Sequence, residues 1–377
     1  MNISVPREIG RHERRVGLTP WATGQLAGAG HTVLVEKGAG LAARFGDREY
    51  QEAGATIVYS REEAFQRAEL VCGVGLVPET ELELVRPGSV LLGFHHLAVA
   101  PRRVVDRLLE LGVTAIGYEL VEDAQGRRHI LTVMAEMAGE MAVYLAAHHL
   151  QNEEGGRGIL LGAVPGVPPP NVLILGAGTV GRTAAARALS AGAHVIVLDQ
   201  DLVKLRELKQ CLGPQVTSQL ATADRLAQYT AIADVVIGAV LVPGGRAPFL
   251  VTEEMVRRMR AGSVIVDVSI DQGGCVETSR PTHIQDPSFV AHGVVHYCVP
   301  NMTANVARTA SRALSDAVLA PVAALAGRGL EQALRQDPGL AAGVYLYRGR
   351  LVSEPLARAL GVPATPLDAL LAPEERR

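Results

Sequence analysis

A strand-like run, Val172-Leu-Ile-Leu175, leads into Gly176-Ala-Gly178-Thr179-Val180-Gly181, and a helix-forming stretch follows. This spacing suits a dinucleotide. Gly176 permits a tight turn, Gly178 lets the backbone approach a pyrophosphate, and Gly181 lets the helix pack on the strand. The helix N-terminus then presents unpaired N–H groups and the positive end of its dipole to the phosphates. The next strand-like run ends in Asp199, where an acid can accept the ribose hydroxyls. Its carboxylate would repel a 2′-phosphate, and Gln200, Asp201 and Leu202 bring no arginine to offset that repulsion. The pattern points to NAD rather than NADP.

A nicotinamide enzyme also needs a proton-exchanging group and usually a cation for a substrate carboxylate. His95-His96 follows the run Ser-Val-Leu-Leu-Gly-Phe94, at the place where a parallel sheet presents a loop to a crevice. One of the pair can serve as acid/base, because imidazole titrates near working pH. Asp271, in Asp267-Val-Ser-Ile-Asp271-Gln-Gly-Gly274, stands beside a glycine turn. There it can orient a histidine, relay a proton or simply cap the turn. Arg15, in Arg14-Arg15-Val16-Gly-Leu-Thr-Pro20, has the fork geometry that grips a carboxylate with two hydrogen bonds. His148-His149 falls inside a helical stretch and reads as structural.

These residues must be held by a fold of adequate size. The chain has 377 residues, of which 48% are hydrophobic and 20% charged, enough for two domains of ordinary size. A formal charge of −3 and the lack of any dense Lys/Arg run exclude an electrostatic drive toward nucleic acid. Lysine occurs only at Lys37, Lys204 and Lys209. Cys72, Cys211, Cys275 and Cys298 form no C-x-x-C pair, so no metal site is expected, and a reducing compartment fits. Residues 1–10 lack the apolar core of a secretory signal, and the apolar stretches are interrupted short of a membrane span. The expectation is a cytoplasmic protein without membrane partners.

Strand-like runs at 31–36, 89–94 and 114–120 alternate with helical spacing at 20–27 and 101–111, the pattern of parallel βαβ units. A long helical segment at 132–150 and a Gly/Pro-rich arm at 155–170 lead into a second α/β unit, with strands at 171–175, 194–199, 233–238 and 263–268. From about residue 303 the chain turns Ala/Leu-rich and helical through 327.

Taken together, these segments resemble the alanine dehydrogenase family, related to the NAD-binding domain of proton-pumping transhydrogenase. The likeness runs nearly end to end. It is carried by Pro6-Arg-Glu8, Arg15-Val-Gly-Leu-Thr-Pro20, Val35-Glu-Lys-Gly-Ala-Gly40, His96-Leu-Ala98 and Gly155-Gly-Arg-Gly158. Further along come Gly238-Ala-Val-Leu-Val-Pro-Gly244, the run from Asp271 to Pro281, and His296-Tyr-Cys-Val-Pro-Asn301-Met302.

The resemblance implies an α/β fold with two Rossmann-like domains of parallel sheet and an interdomain cleft. Residues 1–131 plus 304–377 would form the substrate domain and 132–303 the NAD-binding domain. It implies oxidative deamination of L-alanine to pyruvate and ammonia, with NAD as cofactor. His96 would be the acid/base, Asp271 would support proton transfer, and Arg15 would hold the substrate carboxylate. Asp199 would take the adenosine ribose with Lys204 nearby, and Val240, Leu241, Asn301 and Met302 would surround the nicotinamide. A homo-oligomer, hexamer or dimer, is implied, with the 155–170 arm against a partner subunit.

The sequence departs from the family in two places. Where the family carries Lys-Val-Lys-Glu-Pro, this chain has Gly73-Val74-Gly75-Leu76-Val77, so both lysine positions are glycine. In Thr132-Val133-Met134-Ala135-Glu136, Val133 and Ala135 replace a family proline and serine. Three readings follow: a working alanine dehydrogenase, a dehydrogenase of another amino or 2-oxo acid with room made by Gly73 and Gly75, or a non-catalytic NAD-binding homologue.

Overall fold

The computed structural model describes residues 1–9, 13–242 and 245–372. The final two residues of the Gly238–Gly244 motif therefore lie outside the described residues. The chain gathers into two compact units. One holds Met1–Met134 and the chain from Ala304 onward; the other holds Ala135–Val242 and Arg246–Thr303.

The first unit contains strands β1 (Asn2–Val5), β2 (Thr32–Glu36), β3 (Thr56–Val58), β4 (Leu70–Gly75), β5 (Val90–Phe94) and β6 (Thr114–Gly117). They lie in the order β3-β2-β1-β4-β5-β6, all parallel. The order reverses between β1 and β4, and such a switch point opens a crevice beyond the carboxyl ends of both strands.

The second unit contains β7 (Asn171–Leu175), β8 (His194–Asp199), β9 (Thr217–Leu220), β10 (Val235–Gly238), β11 (Val264–Asp267), β12 (Ser288–Ala291) and β13 (Val294–Tyr297). Their order is β9-β8-β7-β10-β11-β13-β12, with only β12 antiparallel. The switch point here falls between β7 and β10. Two late strands, β14 (Val344–Tyr347) and β15 (Arg350–Leu351), return to the first sheet and extend it antiparallel from β6.

The apolar runs read as strands because both faces of a parallel sheet are covered. Val172 and Ile174 of β7 pack into one core cluster, while Leu173 and Leu175 pack into another on the opposite face. β8 divides the same way, Val195 and Val197 against Ile196 and Leu198. The run at 114–120, expected as one strand, ends at Gly117, because Leu120 N–H bonds back to the Gly117 carbonyl and turns the chain.

The expected helix at 132–150 spans His129–His149. By length and composition it is apolar enough to cross a membrane, which corrects the expectation that no stretch would be. Its apolar character has a packing cause. Ala142, Val143 and Ala146 belong to the second unit's core, and Gly139 lies so close to the helix Thr179–Ala191 that an added Cβ would sit 2.6 Å from the Val180 carbonyl oxygen. The 155–170 arm forms no regular element beyond a tight turn closed by Val167 N–H to the Val164 carbonyl at 3.0 Å.

Candidate functional site

In the second unit, the loops after β7, β10, β11 and β13 all leave the same edge of the sheet, since these strands are parallel neighbours. Gly176 has φ of 106°, a left-handed backbone that favours glycine, and a side chain there would run into the Ala239 carbonyl. Gly178 caps the helix Thr179–Ala191 without any side-chain hydrogen bond, and the space where its Cβ would stand is open. Thr179 and Val180 begin that helix. Gly181 is buried, and a methyl group on it would collide with the Gly176 carbonyl. The first turn thus keeps its N–H groups available and its approach clear, which is what a pyrophosphate needs.

Asp199, at the end of β8, is 9% exposed. Its Oδ2 accepts the Ala177 N–H at 2.6 Å and its Oδ1 accepts the Asp201 N–H at 2.9 Å. The carboxylate is therefore fixed beside the glycine turn with lone pairs remaining for a ribose. Lys204 is exposed on the helix Leu202–Leu212, one turn further on. Val240 N–H donates to Ser269 Oγ at 2.9 Å, which joins the loop after β10 to the loop after β11, while Leu241 is exposed. Asp271 Oδ1 accepts the Asn301 N–H at 2.8 Å, and Asn301 itself is left-handed at φ 53°. Met302 beside it is buried. The fold thus gathers Gly176, Gly178, Val240, Asp271 and Asn301 on one sheet edge, as the residues of a dinucleotide cradle would be.

In the first unit, His96 lies just past β5 with φ of 43°. A non-glycine residue in that region is uncommon and costs energy, so something must hold it. Glu119 does: its Oε1 accepts the His96 backbone N–H at 2.7 Å and the Tyr345 hydroxyl at 2.9 Å. The His96 Nδ1 lies 3.8 Å from the same oxygen, and the ring stacks on Phe94 with centroids 6.2 Å apart. The His96 side chain is 22% exposed and Glu119 is buried. Neither Glu119 nor Tyr345 was a candidate on sequence grounds. The pairing joins residues separated by 226 positions, and a lone acid past a short strand gives no local signal. Tyr345→Phe should lower the unfolding free energy by about 1–3 kcal/mol in urea, because the buried Glu119 loses a donor. An unchanged midpoint would remove Tyr345 from this account.

Arg15 is buried and forms a two-pronged ion pair with Glu13, Nε to Oε1 at 2.8 Å and Nη2 to Oε2 at 2.6 Å. Its Nη1 faces Met134 Sδ at 3.7 Å. Burial pushes the Glu13 carboxyl up, but the Arg15 charge and hydrogen bonds outweigh it and hold the group below its usual range. The segment is anchored from the C-terminal part of the chain, where Ser311 Oγ accepts the Val16 N–H at 3.0 Å and Ser315 Oγ accepts the Thr19 N–H at 2.9 Å. The end of β4 offers no side chains at Gly73 and Gly75. Glu8 Oε1 accepts the Val74 N–H there at 2.6 Å. Among the described residues, no three His, Cys, Asp or Glu gather to hold a metal.

Two family models match the chain: Alanine dehydrogenase/PNT, N-terminal domain, over residues 4–138, and Alanine dehydrogenase/PNT, C-terminal domain, over residues 142–354. The chain is similar to the alanine dehydrogenase of Halomonas elongata, with 43% identity over 362 residues, spanning 96% of this chain and 97% of that protein. Among solved structures it is similar to an L-alanine dehydrogenase, with a TM-score of 0.87 and 43% identity, covering 96% of this chain and 99% of that one. A transhydrogenase from Sinorhizobium meliloti matches with a TM-score of 0.78 and 25% identity over 93% of this chain and 100% of that one.

Proposed function

The chain belongs to the alanine dehydrogenase/PNT family, and on that premise we propose that it catalyses the NAD-dependent oxidative deamination of L-alanine to pyruvate and ammonia, and the reverse. The observation that carries this reading is likeness to alanine dehydrogenases along almost the whole chain, at 43% identity over 96% of it. The reaction consumes alanine, NAD and water and yields pyruvate, ammonium, reduced NAD and a proton.

We assign substrate handling to the first unit and the dinucleotide to the second. Gly176, Gly178, Thr179, Val180 and Gly181 would hold the pyrophosphate, Asp199 the adenosine ribose with Lys204 nearby, and Val240, Leu241, Asn301 and Met302 the nicotinamide. When bound, the nicotinamide supplies the hydride acceptor. His96 supplies the proton exchange. With Nδ1 turned toward Glu119, Nε2 takes a proton from the water that adds to the imino carbon and returns one to the departing ammonia. Arg15, oriented by Glu13, holds the substrate carboxylate. Asp271, fixed by the Asn301 N–H, supports proton movement. Free cysteines support a cytoplasmic location, and the exposed Leu160, Val164 and Val167 on the 155–170 arm support self-association as a hexamer or dimer.

The test is an NADH-absorbance assay with L-alanine and NAD, run beside a panel of other amino acids. Turnover is expected with alanine; silence with alanine alongside turnover of another amino acid would overturn the substrate assignment. A second expectation concerns the cofactor. The wild type should favour NAD over NADP, and Asp199→Asn, which keeps the shape and removes the charge, should narrow that preference by about tenfold or more, the equivalent of ~1.4 kcal/mol. Equal narrowing by neutral changes elsewhere on the loop would count against Asp199 as the discriminating group.

A further inference from the structure

The crevice beyond β1 and β4 contains an acid, Glu8, that forms no ion pair among the described residues. Past the end of β1 the chain brings Glu8 beneath the end of β4, where its only hydrogen bond among the described residues is the one from Val74 N–H. Gly73 and Gly75 leave the facing surface bare. A Cβ added to Gly73 would stand 3.3 Å from Glu8 Oε1, and one added to Gly75 would meet nothing within 4 Å. Glu8, Gly73, Gly75, Arg61 and His95 line one cavity, whose enclosed part measures about 10 Å³, room for a single water-sized group.

His95 supplies an independent second observation. It is 3% exposed, and its Nε2 lies 3.2 Å from the Leu91 carbonyl oxygen. A carbonyl only accepts, so Nε2 carries the ring proton and Nδ1 is left as a bare lone pair. That Nδ1 is buried without a hydrogen-bond partner among the described residues. Burial lowers the pKa of this imidazole, which agrees with a neutral ring. A buried acceptor of this kind costs free energy until a donor reaches it.

The charges favour a cation. Arg61 pairs with Glu36 and Glu81 through its two Nη atoms while its buried Nε has no hydrogen-bond partner among the described residues, Arg15 is taken by Glu13, and Arg7 reaches Glu36 only at 3.9 Å from an exposed position. Glu8 is left over. Burial and the nearby Glu13 charge push its carboxyl up to about 7, against the opposing pull of Arg15 and Arg61.

We propose that this cavity is a subsite for an ammonium ion, held by the Glu8 carboxylate and the His95 Nδ1 lone pair. Ammonium is the size of water, carries only donors, and meets two acceptors there. The subsite is separate from the proton-exchanging ring of His96, which follows His95 at the end of β5. It goes beyond the alanine reading, in which ammonium appears only as a reactant or product.

Thermal unfolding of the full chain tests this without any turnover, so it can fail independently of the alanine reading. Ammonium chloride should raise Tm by about 2 °C or more over sodium chloride and tetramethylammonium chloride at matched ionic strength. Glu8→Gln should abolish that difference. Gly75→Lys, placed where space is open, supplies an ammonium on a tether. It should raise Tm in the sodium salt and erase the ammonium-specific increment, which keeps the test decisive even if Glu8→Gln folds poorly. Identical wild-type Tm values in ammonium and sodium salts would mean that the cavity holds only water and would overturn the proposal. An ammonium-specific rise that survives both substitutions would place the ion elsewhere and overturn it equally.

Discussion

His96→Asn should lower kcat for alanine oxidation by about 10²–10⁴-fold while changing the NAD dissociation constant by less than about twofold. The choice of asparagine follows from the backbone. At φ 43°, alanine would add left-handed strain to the loss of the imidazole, whereas asparagine tolerates that region. The His96 N–H that donates to Glu119 belongs to the main chain and survives the substitution, so the loop keeps its anchor. NAD affinity should hold because Gly176, Gly178 and Asp199 all stand on the second sheet, whose strands share no pairing with β5. Initial rates by NADH absorbance and a fluorescence titration with NADH separate the two quantities. Retention of turnover within tenfold of wild type would show that the acid/base is some other group. His96→Ala should lose at least as much activity, and any additional loss of stability in it measures the strain.

How far this site could be read from the sequence depends on the range of the interactions that build it. Both switch-point sheets rest on local signals. Val172-Leu-Ile-Leu and His194-Val-Ile-Val-Leu-Asp are continuous apolar runs because each alternate residue serves a different core, and their bounds emerge from pattern alone. The glycine positions 176, 178 and 181 are equally legible, since backbone conformation and close approach each demand the absence of a side chain. β9 is not legible: Thr217-Ser-Gln-Leu is an edge strand, half-buried throughout, and no apolar run marks it. β14 and β15 escape for a different reason. They return from the far end of the chain to complete the first sheet, and only that pairing brings Tyr345 to Glu119. The same holds for the crevice. Gly73 and Gly75 announce a missing pair of side chains, but that Glu8 and His95 line one cavity with them follows from strand order, β1 and β5 lying on either side of β4.

Arg15→Met should cost more stability than any other single substitution considered and lower activity as well, and the two losses have separable causes. The guanidinium is bonded through two atoms to Glu13, whose side chain is 9% exposed. Removing it leaves a nearly buried carboxylate uncompensated, and the expected loss of unfolding free energy is about 3–5 kcal/mol. Glu13→Gln in the same background removes the orphaned charge and should restore most of that stability. It cannot restore the cation, so turnover should stay at least about 10²-fold below wild type, the scale of losing a charged contact to a substrate carboxylate. The pH dependence has a definite sign. Because Glu13 is held below its ordinary value of 4.5, its ionised form favours the folded state. The pair's contribution is therefore present above that value and is lost as pH falls through the depressed one. Wild type and Arg15→Met should accordingly differ most in urea midpoint near neutral pH and converge in acid. Recovery of activity together with stability in the double variant would demote Arg15 to a structural partner of Glu13. Full stability in Arg15→Met would show that Glu13 finds another donor or simply takes up a proton.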